Sequence, residues 1–185
     1  MVMYISKGEH YQEQGKKILV NRGMRNAVLG GIFAYLWSMG SRRFMVTKDE
    51  REIEALQRLV QMGLVEMKEV EGNDDKYEIL THCILVLSSK ENQIKSGGLE
   101  KDVYVWIKEA PLNFSIAELV KLKELDIRPS SEWLAKDNLY KLVMKLYDPL
   151  SSDRLLEYQM KESEARDKVV NAVEKLMSQG IIEMM

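Results

Sequence analysis

A twelve-residue pattern occurs twice in this chain, at residues 56–67 and again at residues 173–184. Each copy consists of an amphipathic stretch, a glycine, two apolar residues, a glutamate and a methionine. A glycine directly after such a stretch is typical of a helix that ends in a left-handed residue. The apolar pair that follows favours a short strand. Two matching helix–glycine–strand segments therefore predict two copies of one supersecondary unit.

The first copy lies inside a longer predictable series. Thr47-Lys48-Asp49-Glu50 has the pattern of a capping box, which predicts a helix from there to about Met62, ending at Gly63. Leu64 to Val70 is predicted as a strand, residues 71–75 as a turn, and Lys76 to Leu87 as a returning strand. A helix, a glycine, a strand, a polar tip and a strand form the order of a recognition helix followed by a wing.

The segment before this series predicts an extended arm and a helix. Residues 2–20 alternate loosely around two glycines, which favours a hairpin or an extended arm. Asn26 to Met39 is predicted as a helix with apolar residues on every face, and such a helix has to be buried all round. Gly30-Gly31 would lie inside it and weaken it by about 1 kcal/mol per glycine, so we expect a close backbone approach there.

The second half is predicted to be richer in helix. The expected elements are a polar linker at 88–98, a helix at Leu99–Ala110, a capping box at Ser115–Glu118, a helix at Glu132–Tyr147, and a strand at 181–185. Asp153 to Gln179 contains no glycine or proline, so it is either one long helix or two helices joined near Glu162-Ser163.

Each half resembles a winged-helix domain, and the segments ending in GLVEM and GIIEM carry that resemblance. It implies a mainly α fold with small β wings (α+β), built as tandem winged-helix-like units. The expected divisions are an N-terminal arm plus unit at 1–87, a linker at 88–98, and a second, helix-rich unit at 99–185. Three features depart from the family pattern. No second helix is evident between Gly40 and Thr47, Glu132–Tyr147 is an extra helix, and residue 185 comes where a second wing would begin.

Cysteine content and hydropathy restrict the class of protein. Cys83 is the single cysteine, so no intrachain disulfide can form, and a reducing compartment such as the cytoplasm is expected. The N-terminus lacks the basic start and apolar run of a secretory signal. The longest uncharged stretch, Asn26–Ser41, is shorter and more polar than the roughly 20 apolar residues of a spanning helix, so no membrane partner is expected.

The residues that usually carry catalysis or bind metals are few. His82 and Cys83 are adjacent in a predicted strand, so their side chains are expected on opposite faces. Two histidines and one cysteine fall short of the usual zinc ligand sets, and no phosphate-binding glycine pattern is present. We therefore expect no enzymatic activity, no catalytic residues, no metal site and no cofactor.

The charge distribution suggests the candidate binding residues. The net charge is −2, but the chain through Lys48 carries eight basic and two acidic residues, a net +6, which leaves −8 for the remainder. Basic groups near both ends of the predicted 26–39 helix could contact phosphates, and residues on the next helix could contact base edges. The candidates are Lys16, Lys17, Arg22, Arg25, Arg42, Arg43, Arg51, Gln57, Arg58 and Gln61.

Two functions remain open from the sequence. The first is a DNA-binding regulator that contacts double-stranded DNA through its basic N-terminal unit, with the acidic second unit in dimerisation or partner binding. The second is a protein- or peptide-binding scaffold without nucleic-acid contact. The charge asymmetry favours the first. The overall pI of about 5.8 favours the second, as do Glu50 and Glu54 on the candidate helix.

Overall fold

The computed structural model describes residues 1–15, 17–23, 25–89, 97–110, 112–147 and 152–185. These residues form a mixed α+β structure with small sheets, which confirms the α+β class. In chain order the elements are β1 (Val2–Ser6), β2 (Glu9–Gln14), β3 (Lys17–Arg22), β4 (Arg25–Gly30), α1 (Gly31–Gly40), β5 (Met45–Thr47), α2 (Glu50–Gln61), β6 (Val65–Glu69), α3 (Asp75–Thr81), β7 (Leu85–Leu87), α4 (Leu99–Glu109), α5 (Ile116–Glu124), α6 (Ser131–Leu134), α7 (Leu139–Leu146), α8 (Asp153–Lys161), α9 (Arg166–Ser178) and β8 (Ile182–Met184).

The described strands form three antiparallel sheets. One has the order β5-β1-β6, the second is the meander β2-β3-β4, and β7 pairs with β8. In the first sheet Val2 opposes both Thr47 and Glu69, so the N-terminal strand lies between β5 and β6. In the meander the register of β3 and β4 runs from Lys17 opposite Gly30 to Arg22 opposite Arg25.

Both predicted helix–glycine–strand segments are confirmed. Gly63 and Gly180 have φ of +72° and +67°, the left-handed conformation that glycine adopts without a Cβ penalty. The backbone N–H of Leu64 donates to the carbonyl of Leu59 at 2.8 Å, and that of Ile181 donates to Leu176 at 2.9 Å. These are the six-to-one bonds of a Schellman ending, and β6 and β8 follow directly.

The predicted helix over residues 26–39 is wrong in its first part. β4 occupies Arg25–Gly30 and α1 begins only at Gly31, whose φ of +55° marks the junction. Pairing with β3 supplies backbone hydrogen bonds along one side of this segment, and that pairing overrides its local helix propensity. Burial on all faces is also wrong, since Val28 and Tyr35 are 60% and 56% exposed.

The predicted returning strand over residues 76–87 is also largely wrong. Residues 75–81 form α3, and only Leu85–Leu87 is a strand. The buried Asp75 carboxylate accepts hydrogen bonds from the backbone N–H groups of Glu71 and Gly72, both at 2.9 Å, which orders the loop before the helix. β6 pairs with the N-terminal strand β1 instead of with a wing strand.

Three smaller expectations are settled by the capping contacts and element bounds. Asp49, not Thr47, caps α2, because its carboxylate accepts from the backbone N–H of Glu52 at 3.0 Å. The Ser115–Glu118 capping box is confirmed. The single helix predicted at 132–147 is instead α6, a 3-10 turn and α7, and residues 153–179 contain two helices.

Buried apolar residues form two clusters that meet at β1. One cluster draws on residues 2–65, and the other on residues 77–184 together with Ile5. α3 and β7 thus contribute to the same cluster as the helices of the second half. The backbone N–H of Gly8 donates to the carbonyl of Met184 at 2.7 Å and adds a direct tie. Most of the predicted linker, residues 90–96, lies outside the described residues, and the division at 88–98 stays a prediction.

Candidate nucleic-acid interface

The exposed side of α2 carries all four candidate residues that were expected on this helix. Leu56 and Leu59 pack inward and are fully buried, whereas the candidates face solvent. The exposed candidates are Arg51, Gln57, Arg58 and Gln61. Helical periodicity predicts this division correctly, since the apolar stripe and the polar face are separated along α2.

The turn between β3 and β4 brings two more candidates to the C-terminal end of α2. Arg22 Nη1 donates a hydrogen bond to the carbonyl oxygen of Gly63, the residue that closes the helix. Arg25 is exposed on the other side of the turn. A shallow depression of about 440 Å³ lies between this turn and the helix end, and it is lined by Arg22, Arg25, Asn26, Ala27, Met62 and Leu64.

Arg42 and Arg43 follow α1 and are exposed. Arg43 lies close enough to the buried Tyr4 hydroxyl to act on its ionisation. Burial raises the pKa of Tyr4 to about 12 and the Glu52 carboxylate adds to the rise, while the Arg43 charge opposes it. Arg43 comes two residues before Met45, which lies opposite Tyr4 in the sheet.

Lys17 lies apart from the other described candidates. It is exposed at the start of β3, opposite Gly30, whereas Arg22 is at the end of that strand. At about 3.3 Å per residue the two lie roughly 17 Å apart along the strand. Lys16 is outside the described residues. The structure therefore brings Arg22 and Arg25 to the end of α2 and leaves Lys17 at the far end of the hairpin.

The candidate cations have no carboxylate partner, whereas about half of the other cations in the described structure have one. Within the described ranges no ion pair within 4.0 Å involves Lys17, Arg22, Arg25, Arg42, Arg43, Arg51 or Arg58. By contrast, Lys68, Lys76, Lys161 and Lys175 each contact a glutamate or an aspartate. Unpaired guanidinium groups retain their full charge for an external anion.

The acidic residues of α2 are concentrated in its first turns. Glu50 and Glu52 precede Glu54, and Asp49 caps the helix, so negative charge lies where the helix dipole is positive. After Glu54 the exposed polar residues are Gln57, Arg58 and Gln61. Glu50 is therefore at one end of the helix and the opposite end adjoins the basic turn, while Glu54 lies one turn before Arg58 on the same face.

His82 and Cys83 do not form a reactive pair. They follow α3 instead of lying in a strand, but one side chain is exposed and the other buried, as expected for opposite directions. Burial raises the pKa of the Cys83 thiol to about 12, so it stays protonated at neutral pH. His82 Nδ1 lies 3.3 Å from Glu66 Oε1. In the described part of the chain no three His, Cys, Asp or Glu side chains converge as metal ligands would.

Comparison with known proteins identifies no relative of this chain. The chain matches no protein-family model, no curated protein and no solved structure. Separately, none of the helices in the described residues has the length and apolar character needed to cross a bilayer.

Proposed function

We propose that this protein is a non-enzymatic nucleic-acid-binding regulator that contacts double-stranded DNA through the C-terminal half of α2 and the β3–β4 turn. The observation that carries the proposal is the position of Arg22 and Arg25 beside the end of α2, where Arg58 and Gln61 are exposed. A helix about 10–12 Å across fits the major groove, and a basic turn at its end can reach the flanking phosphates.

Each side chain has a role suited to its chemistry. Arg25 and Arg58 would neutralise phosphates and release counterions. Gln57 and Gln61 present amides that pair with adenine edges. Arg22, held by the Gly63 carbonyl, would keep the turn against the helix. The α2–Gly63–β6 and α9–Gly180–β8 units are then two degenerate winged-helix copies, of which the first contacts DNA and the second serves partner binding or dimerisation.

The salt dependence of binding to a random duplex tests this proposal. Affinity should fall log-linearly between about 50 and about 200 mM salt, and Arg25→Ala and Arg58→Ala should each reduce the slope by about one phosphate contact. Lys175→Ala is the matched control, because Lys175 occupies the position in α9 that Arg58 occupies in α2 and pairs with Glu100 at 2.6 Å. Its slope should equal that of the wild type.

Two outcomes would overturn the proposal. One is the absence of duplex binding at low salt. The other is an equal loss of affinity in the Arg58 and Lys175 variants, which would assign binding to net charge alone and not to the α2 surface.

A protein- or peptide-binding scaffold is the second candidate function. The observation that favours it is a set of exposed apolar side chains near the start of α1. Ile32 and Tyr35 are three residues apart and share a helix face, with 40% and 56% exposure. If this face binds a second copy of the chain, small-angle scattering should give twice the monomer mass, and Ile32→Ser with Tyr35→Ser should return it to the monomer value.

A further inference from the structure

The outer edge of the β2-β3-β4 meander is open among the described residues. β4 pairs with β3 on one side, and no described strand pairs with its other side. Apart from that pairing, residues 25–29 make no backbone–backbone hydrogen bond with the part of the chain that the structure describes. An antiparallel strand that is paired on one side only leaves alternate N–H and C=O groups unpaired. β4 therefore presents a row of backbone donors and acceptors.

The two edges of this meander differ. At the other edge, β2 has a bulge between His10 and Gln12. A bulge is one of the means by which proteins prevent a further strand from pairing at an edge. β4 keeps an unbroken register from Arg25 to Gly30 and contains no proline. β4 is therefore the edge that can accept a further strand.

Side chains along the β4 edge place an apolar centre between two cations. Val28, in the middle of the strand, is 60% exposed, and Arg25 is exposed at its start. Lys17 lies opposite Gly30 at the other end, with its Cγ 3.5 Å from the position that a Gly30 Cβ would take. The Lys17 side chain thus lies over a glycine, which has no side chain to block its path toward a strand beside β4. Neither cation has an ion pair within the described ranges.

The depression at the end of α2 adjoins the first half of this edge. Asn26 and Ala27 of β4 line it together with Met62 and Leu64, and Met62 is 46% exposed. Successive side chains of a strand point to opposite faces of the sheet. A strand added beside β4 would therefore direct one set of side chains toward this depression and the other set past Val28.

The charges around the edge distinguish between possible occupants. The sequence has no aspartate or glutamate between Glu13 and Asp49, so every charged residue of β3, β4 and α1 is a cation. A second copy of β4 would bring like charges together, because Arg25 of one copy would lie near Lys17 of the other in an antiparallel pair. A strand with acidic residues on both sides of an apolar one complements the edge.

We propose that the β4 edge binds an extended acidic peptide segment of a partner protein as a fourth strand of the meander. Backbone hydrogen bonds to β4 supply affinity, and the side chains along the edge supply specificity. Acidic residues of the peptide pair with Arg25 and Lys17, and an apolar residue between them packs beside Val28.

Fluorescence polarisation on the full chain without DNA tests this inference. The probes are labelled peptides of about eight residues, with glutamates at both ends and one of several apolar residues at the centre. At least one should bind at up to about 1 mM, and its counterpart with lysines in place of the glutamates should bind at least about ten-fold more weakly. Absence of binding by every acidic probe would overturn the proposal.

N-methylated forms of the best probe separate strand addition from attraction between charges. One form carries N-methyl groups on its odd-numbered residues and the other on its even-numbered residues. Alternate N–H groups of a strand point to opposite edges, so only one form loses the hydrogen bonds to β4. That form should bind about ten-fold more weakly or less tightly still, and the other should bind like the unmethylated peptide. Equal binding by the two forms would contradict strand addition.

Lys17 and Arg58 provide a matched pair of variants. Both are exposed cations, but Lys17 lies beside the β4 edge and Arg58 lies on α2. Lys17→Ala should weaken peptide binding by about three-fold to five-fold, and Arg58→Ala should leave it unchanged. Equal losses in the two variants would assign binding to net charge and overturn the site. Val28→Glu, at an exposed position, should weaken peptide binding by about ten-fold or more.

This inference goes beyond duplex binding and does not depend on it. Peptide binding is measured in the absence of DNA and responds to Val28→Glu, whereas duplex binding is tested with Arg58→Ala. Each proposal can therefore fail while the other stands. A scattering mass of twice the monomer value that Val28→Glu returns to the monomer would assign the edge to a second copy and overturn the peptide assignment.

Discussion

The two helix–glycine–strand units are nearly identical in local geometry. The Gly63 N–H donates to the Val60 carbonyl and the Gly180 N–H donates to the Met177 carbonyl, both at 2.8 Å. These bonds accompany the six-to-one bonds that end each helix. The apolar residues before each glycine are also equivalent, since Leu59 and Leu176 are both fully buried. A local pattern of apolar spacing and one glycine produces the same unit in two places.

The same units differ in what surrounds them. β6 pairs with β1 inside a three-stranded sheet, whereas β8 pairs only with the three-residue strand β7 among the described strands. Arg58 has no ion pair in the described structure, while Lys175, at the equivalent position, pairs with Glu100. A repeated fold unit can therefore leave a cation without an ion pair in one copy, within the described structure, and hold its counterpart in an ion pair in the other.

The largest expected effect tests whether the two units stabilise one cooperative structure. Leu59→Ala and Leu176→Ala remove equivalent, fully buried side chains from the two apolar clusters, and each should lower the free energy of unfolding by about 2–5 kcal/mol. Because β1 contributes to both clusters, we expect both variants to shift a single thermal transition. Two separate transitions, each sensitive to one substitution, would instead show that the clusters unfold independently.

Alanine at the two glycines should have the next largest effect. Each left-handed glycine becomes strained by about 1–2 kcal/mol when it gains a Cβ. At Gly63 the new methyl group would also collide with the Arg22 guanidinium. Chemical denaturation should therefore show Gly63→Ala as the more destabilised variant, and duplex binding should fall with it. A larger loss for Gly180→Ala would mean that the Arg22 contact is readily rearranged.

A smaller effect is expected in the ionic network that joins α3 to α8. Hydrogen bonds from Lys161 and Lys68 hold the pKa of Glu78 below its ordinary value of 4.5, so the ionised form stabilises the fold. Glu78→Gln should therefore lower the free energy of unfolding, measured by chemical denaturation, by about 1 kcal/mol at neutral pH. This stabilisation is present above the ordinary pKa and is lost as the pH falls through the lowered one. The difference in the free energy of unfolding between wild type and variant should thus be constant above about pH 6 and shrink below about pH 4.5. A difference that grows in acid would contradict this account.

The smallest effect compares Arg58 with Lys175 in stability. Lys175→Ala removes the ion pair with Glu100 and should lower the free energy of unfolding by up to about 0.5 kcal/mol. Arg58→Ala should leave the free energy of unfolding unchanged within measurement error. In duplex binding the order should reverse, because only Arg58 has its charge available. If Lys175→Ala has the larger effect on stability and Arg58→Ala the larger effect on duplex binding, Lys175 is a structural cation and Arg58 a DNA-binding one. If the same variant has the larger effect in both measurements, the two cations do not differ in this way.

Much of the candidate interface was predictable, but its assembly was not. The exposed positions of α2 follow from helical periodicity, and both glycine stops follow from local backbone chemistry. The prediction of a helix was wrong at residues 26–30, which belong to β4. A usable signal was present, since a polar turn around Gly23 separates two apolar triplets, 18–20 and 27–29, as in a β-hairpin. That reading would have put Arg22 and Arg25 together, although not beside Gly63.

By itself the sequence determined the features that depend on neighbouring residues: the amphipathic face of α2, the left-handed endings at Gly63 and Gly180, and the Ser115 capping box. The tertiary structure alone decided which strand β6 pairs with, that residues 75–81 form a helix, and that Asn26 and Met62 line the same depression. The physical reason is the separation, along the chain, of the residues that interact. Caps and periodic faces are satisfied within one or two turns of chain. Strand pairing and clefts depend instead on contacts between residues far apart in sequence, such as Gly8 and Met184, which are 176 positions apart.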